Sequence, residues 1–292
     1  MMKNWTAIIP GVLLALPVFA VEVNETLDAA VDGHVNVSNI AGEVTINGWS
    51  RGQVEVTGEL GRNVEKLIFE RDGDKITIKV KVPKNSRRGT DSDLHIQVPQ
   101  GSSIDVGTVS ADITVRTVHG EQSLGTVSGD IQTEAFASEI SAESVSGDVE
   151  VSGRGNVTET HASSVSGDVT LFRIGGEVAV GSVSGDVTVD EGVFDRAELE
   201  TVNGEILFHA GLRDGGKLEA ETVNGDVDIE FASEVEGRYD IDTFNGSIRN
   251  CFGPKAERTS KYTPGWELSF QEGDGDARVT VSTLNGDISI CH

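Results

Sequence analysis

Seven carboxylates stand at one repeated place in the chain, each directly after a glycine: Asp130, Asp148, Asp168, Asp186, Glu205, Asp226 and Asp287. Brought into a column, such groups have three kinds of chemistry open to them. They can accept turn N–H groups and otherwise face water. The aspartates among them (Asp130, Asp148, Asp168, Asp186, Asp226 and Asp287) can form a ladder for a divalent cation such as Ca²⁺, which takes several oxygen ligands. Two of them can act as the acid and base of a polysaccharide-cleaving enzyme. Neither the glycine-rich nonapeptide of calcium-binding β-rolls nor D-x-[DN]-x-[DN]-G occurs, so the residues favour turn capping over cation binding. No G-x-S-x-G, P-loop, H-E-x-x-H or C-x-x-C occurs either. His34, His95, His119, His161, His209 and His292 fall at unrelated places in the repeat, and no nucleophile and base recur at a fixed offset. The sequence therefore assigns no catalytic residue, no resident metal and no cofactor.

The element that positions the carboxylates is a repeated turn. Val127-Ser128-Gly129-Asp130 returns at Val145–Asp148, Val165–Asp168 and Val183–Asp186. Asn then replaces Ser in Val202–Glu205, Val223–Asp226, Phe244–Ser247 and Leu284–Asp287. The motif glycines Gly129, Gly147, Gly167, Gly185, Gly204, Gly225, Gly246 and Gly286 lie 18, 20, 18, 19, 21, 21 and 40 residues apart. Val109–Asp112 is an imperfect earlier copy, and Ile40–Glu43 and Val118–Glu121 are looser ones. Apolar residues alternate on both sides, as in Leu218, Ala220 and Thr222 before the turn and Val227, Ile229 and Phe231 after it, which is the period of a β-strand. Glycine in such a turn is expected to supply a positive φ.

Two all-β architectures fit this unit. One is a single-chain β-solenoid of about ten coils with an 18–21-residue repeat, each motif stacking on the one before. The other is an antiparallel sandwich or meander in which each motif is a hairpin turn. The fixed motif with variable intervening loops favours the solenoid, because stacked neighbours share a corner. Serines and asparagines then form a second column, in which amides can bond along the axis. Cys251 and Cys291 each follow their motif glycine by five residues, which places them in register on adjacent coils at strand spacing, within reach of a disulfide. The 40-residue gap is then one coil with an inserted loop at about residues 253–272.

Residues 1–20 have the layout of a secretory leader: Lys3, an apolar run to Phe19 and small residues before a cut after Ala20. The expected organisation is a leader at 1–20, an N-terminal β region and cap at 21–100, and the regular solenoid at 101–292. No transmembrane segment is expected after cleavage. The formal net charge of −25 argues against nucleic acid as a partner. Residues 97–292 carry −23 of it, whereas residues 51–96 carry +2. Two basic stretches interrupt the acid, one at Lys84, Arg87 and Arg88 and one at Lys255, Arg258 and Lys261 with Tyr262 and Trp266. Basic residues beside aromatics can contact an anionic polymer, glycan or headgroup surface, or the second stretch can fold back over the acidic shaft.

A leader followed by serial V-S-G-D and V-N-G-D turns resembles the putative-adhesin family of bacterial exported β-strand-repeat proteins, related to the toast-rack domains of cell-envelope stress systems. The segment Asp93–Pro99, ending in Val-Pro before the first regular coil, and the closing Ser282–Ile288 match as well. The resemblance covers residues 35–291 and implies a toast-rack-like β-solenoid. It carries over no catalytic residue, and it implies a non-enzymatic, adhesin-like scaffold of the cell envelope, periplasmic or extracellular, linked to envelope stress or surface attachment. Its partner would be an envelope protein, a glycan or an anionic surface. A polysaccharide-active enzyme on a β-helix and a divalent-cation-binding repeat protein are the alternatives.

Overall fold

The structure, a computed structural model, describes residues 21–84, 88–260 and 264–292. The leader expectation, Arg87, Lys261 and Tyr262 lie outside these residues. The described residues form twenty-one strands and no helix. The chain opens with β1 (Val21–Asp28), β2 (His34–Trp49), β3 (Gln53–Leu60), β4 (Lys66–Asp72), β5 (Lys75–Lys81) and β6 (Asp91–Pro99). A shaft follows with β7 (Ser103–Arg116), β8 (Gln122–Gly125), β9 (Ile131–Glu134), β10 (Ile140–Glu143), β11 (Val149–Ser163), β12 (Val169–Gly181), β13 (Val187–Glu200), β14 (Ile206–Asn224) and β15 (Val227–Phe231). Last come β16 (Gly237–Asn245), β17 (Ile248–Asn250), β18 (Glu257–Arg258), β19 (Trp266–Glu272), β20 (Ala277–Asn285) and β21 (Ile288–Cys291).

Each coil places one strand segment before its motif and one after it, and each segment pairs in parallel with its counterpart in the next coil. Ile140–Glu143 thus lies against Gln122–Gly125 on one side and Thr160–Ser163 on the other. Across the turn, Val149–Ser152 lies between Ile131–Glu134 and Val169–Phe172. The structure is a β-solenoid, so the hairpin reading of the motif does not apply. Alternation decides which residues enter the core. In β15 the pattern V-D-I-E-F buries Val227, Ile229 and Phe231 and leaves Asp228 and Glu230 outside. Stacked in register, these positions become columns of buried Val, Ile and Leu between the two faces. Toward the C-terminal end the column turns aromatic: Phe194, Phe208, Phe231 and Tyr239 follow one another at centroid distances of 5.8, 6.0 and 6.3 Å.

The coils do not stack in chain order at either end, which corrects the expectation that every motif lies on the one before it. β2 is first in sequence among the coil strands yet sits inside the stack, with β5 and β6 on one side and β7 on the other. At the far end β20 and β21 insert between β14–β15 and β16–β17. The last coil of the chain is therefore the penultimate coil of the stack. Eleven coils result, about 48 Å between the outer two at a strand spacing of about 4.8 Å.

Both ends close with antiparallel strands. β6 is followed outward by β3 and β1, β5 by β4, and β16 by β19 and then β18. The segment expected as an inserted loop thus holds a strand that finishes the sheet, and Phe252, Ala256 and Phe270 pack on the core there. A reversed, short outermost strand blunts the edge that a run of parallel strands would otherwise leave open.

Candidate binding surfaces

The motif corner is built from three axial ladders. In the first, each aspartate reaches along the axis: Asp130 Oδ1 accepts the Asp148 N–H at 2.9 Å, Asp148 that of Asp168 at 2.9 Å, and Asp168 that of Asp186 at 2.8 Å. Asp226 accepts the Asp287 N–H at 2.7 Å, and Asp287 accepts both the N–H and the hydroxyl of Ser247. The acceptors thus serve the next coil rather than their own turn. Their own hydrogen bonds account for the column, and among the described residues no group of three or more His, Cys, Asp or Glu is placed to hold a metal ion.

The second ladder runs through the asparagines. Asn224 Nδ2 donates to Asn203 Oδ1 at 2.9 Å, Asn285 to Asn224 at 2.8 Å, and Asn245 to Asn285 at 2.8 Å. The bonds follow the order of the coils in space, not in the chain.

The third ladder was not read from the sequence. The residue before each motif is always Ser or Thr and is buried, and from Ser144 onward it donates to the motif-glycine carbonyl of the preceding coil, as Ser164 does to Gly147 and Thr201 to Gly185. Thr243 and Thr283 do the same to Gly286 and Gly225. A hydroxyl recurring one place before the motif is the signal that would have found it.

The motif glycines owe their place to this close stacking and not to backbone conformation. None of the eight has a positive φ; instead a Cβ on any of them would fall 1.8–2.2 Å from the neighbouring coil's carbonyl oxygen. The expectation of a positive φ is therefore corrected: the requirement is space along the axis. The looser copy Val118–Glu121 is not part of this corner. It lies between β7 and β8, on the opposite edge, and Val118 is fully buried.

The two basic stretches lie at opposite poles. Lys84 and Arg88 are exposed in the loop joining β5 to β6, in the outermost coil at one end. Lys255 and Arg258 are exposed at the other, where the Arg258 guanidinium lies 5.0 Å from the Trp266 ring centre. Arg258 of the second stretch lies on β18, paired to β19 at the end of the stack, and the described part of the stretch does not run back along the shaft. Arg51 likewise lies over Trp49, 4.8 Å from its centre, in the second coil from the first pole. None of the six ion pairs among the described residues involves Lys84, Arg88, Lys255 or Arg258. By contrast, shaft residues Arg173, Arg196 and Arg213 each pair with a carboxylate, as does Arg238 on β16 in the outermost coil.

Near the second pole a disulfide joins Cys251 to Cys291, with their Cα atoms 5.0 Å apart. On the outer face of the strands that precede the motif, Glu221, Ser282, Asp242 and Glu267 stand in register across β14, β20, β16 and β19. Desolvation and like-charged neighbours raise the carboxyls of Glu221 and Asp242 above the ordinary range, whereas the bond from Arg238 lowers that of Asp240. Burial pushes the Tyr239 phenol up; its hydroxyl donates to the Val235 carbonyl at 2.7 Å.

The profile of the Toastrack DUF4097 family matches residues 34–291. The chain belongs to that family. No curated protein matches the chain. Among solved structures it is similar to a putative adhesin of Bacteroides fragilis, at 8% identity over 92% of this chain and 96% of that one, with a TM-score of 0.43. A putative lipid binding protein of Parabacteroides distasonis gives 14% identity over the same shares and a TM-score of 0.42. A putative cell adhesion protein of Clostridium sporogenes gives 10% identity, 92% and 99% coverage and a TM-score of 0.30. The Toastrack match spans all eleven coils and the two basic poles with them.

Proposed function

We propose that this Toastrack protein is an exported, non-enzymatic scaffold of the cell envelope that makes adhesin-like contacts through its two poles. The observation that carries this reading is the distribution of charge. The shaft is strongly acidic and pairs its arginines Arg173, Arg196 and Arg213 with carboxylates. Among the described residues, Lys84 and Arg88 at one pole and Lys255 and Arg258 at the other have no carboxylate partner, and each pole has an Arg–Trp stack nearby. A rigid spacer of about 48 Å with an anion-seeking surface at each end can hold two envelope components apart or tether one to the other. The free guanidinium and ammonium groups suit phosphate, sulfate or carboxylate groups on a glycan, a headgroup or an envelope protein.

The test is charge reversal at the poles. Lys84→Glu with Arg88→Glu, and separately Lys255→Glu with Arg258→Glu, should each reduce association of the purified protein with isolated envelope fractions about thirtyfold, at roughly 1 kcal/mol per reversed charge. Association unchanged in the combined variant would refute the polar contacts. Turnover of any glycan by the folded protein would refute the non-enzymatic reading.

A further inference from the structure

The motif valines are only half buried. Val109, Val127, Val145, Val165, Val183, Val202, Val223, Leu284 and Phe244 form one line along the corner, each 39–48% exposed. Nothing in the three ladders requires an apolar side chain there: the corner bonds are made by the hydroxyl before it, the backbone of the next residue and the carboxylate. The carbonyl at this position is already bonded, since the Ser146 N–H donates to the Val127 carbonyl and the Ser166 N–H to that of Val145. The line is about 38 Å long at a spacing of about 4.8 Å, longer than the scattered apolar residues of an ordinary soluble surface.

A groove of about 570 Å³ runs beside it, recessed because Gly125, Ser163 and Gly181, two residues before the motif valines, carry small side chains or none. Glu143 and Glu200 lie in the groove. On the other side of the valines run Asp130, Asp148, Asp168 and Asp186, whose bonds along the axis use one carboxylate oxygen and leave the second in solvent. No Lys or Arg lines the groove. An apolar strip between two anionic rails matches a partner with apolar groups in a row and cations on both sides. A second copy of the chain would set acid against acid, and a neutral acyl chain would leave the rails unmatched.

We propose that this corner binds extended cationic amphipathic peptide segments along the solenoid axis. Because the strip repeats one residue, it fixes no register, and because its carbonyls are already bonded, recognition runs mainly through side chains. Affinity should therefore depend on alternating composition more than on order. The surface lies on the shaft and is independent of the polar contacts proposed above.

The test uses a fluorescein-labelled peptide of about ten residues alternating Lys and Leu, about 33 Å when extended, read by fluorescence anisotropy on the full chain. It should bind at least tenfold more tightly than an alternating Lys–Ser or Glu–Leu peptide, and weaken several-fold from low to high salt. The variant Val127→Thr/Val145→Thr/Val165→Thr/Val183→Thr keeps the β-branch and should lose at least tenfold in affinity with an unchanged circular-dichroism spectrum. Glu143→Gln/Glu200→Gln should lose about threefold and flatten the salt dependence. The Lys84, Arg88, Lys255 and Arg258 reversals should leave this binding unweakened, so the two proposals fail separately. Undiminished binding in either shaft variant, equal binding of the Glu–Leu peptide, or displacement of the Lys–Leu peptide by palmitate alone would overturn the proposal.

Discussion

The two halves of the motif corner solve the same packing problem with different residues. From Val127 to Asp186 the coils lie in chain order and the second motif residue is Ser, whose hydroxyl makes no bond along the axis. From Val202 onward it is Asn, and the amides of Asn203, Asn224, Asn285 and Asn245 form an unbroken ladder. The asparagine half is where the chain leaves its own order, because β20 and β21 enter between coils that follow one another in sequence. It is also the half with the aromatic column and the disulfide. In the serine half, connectivity already brings each coil to its neighbour across a short link. In the asparagine half, the coil at 277–291 meets Val223–Asp226 across a separation of 61 residues, and ordering that longer loop costs more entropy. The additional cross-coil bonds fall where chain connectivity contributes least.

The largest effect should come from the feature common to both halves. Gly167→Ala puts a methyl 2.2 Å from the Gly147 carbonyl oxygen, and overpacking against backbone should cost about 3 kcal/mol or more. Gly225→Ala should cost as much, measured by urea denaturation of each variant. A cost near zero at either site would return the glycines to the simple turn role. Next, removing the disulfide with Cys251→Ser/Cys291→Ser should lower stability by about 2–4 kcal/mol. Hydrogen exchange should place the loss in β16, β17 and β21 while the serine half stays protected. A smaller contrast separates the halves directly: Asn224→Ala should cost about 1 kcal/mol for its ladder bonds, and Ser166→Ala close to nothing.

The pH response is the subtlest. Glu221 and Asp242 have raised carboxyls, so they bind protons more tightly folded than unfolded. Their stabilising contribution is present below the unfolded carboxylate range and is lost as pH rises through their raised values. Asp240, lowered by Arg238, works in the opposite sense and loses its contribution as pH falls below the ordinary range. The unfolding midpoint should therefore rise on going from about pH 7 to about pH 5 and fall again in stronger acid. In Glu221→Gln the first rise should shrink.

Much of this was legible in the residues. The constant V-[SN]-G-[DE] motif with variable spacers gave the solenoid, and equal offsets from Gly246 and Gly286 placed Cys251 beside Cys291. The stacking order was not legible, because identical motifs specify a corner without saying which coil lies on which. A swapped order and a sequential one bury the same columns. The glycines were visible but their reason was not, since a sequence shows the absence of a side chain and not the carbonyl that would meet it. The Ser/Thr ladder was missed because its residues change identity, and only a hydroxyl is common to Ser164 and Thr201. That the two basic stretches stand at opposite poles follows from the stack and could not be read from either stretch alone.

The central claim is the order of the coils at the asparagine corner, and cysteine crosslinking tests it most directly. In a Cys251→Ser/Cys291→Ser background, Asn224→Cys/Asn285→Cys places two thiols on adjacent coils, where the native pair is in register. Asn224→Cys/Asn245→Cys places them two coils apart, about 9.6 Å at strand spacing, beyond disulfide reach. Mild oxidation of the folded protein, followed by mass spectrometry, should link the first pair quantitatively and leave the second free. A disulfide in the 224–245 variant with none in the 224–285 variant would mean that the coils stack in chain order, and the account of this corner would be wrong.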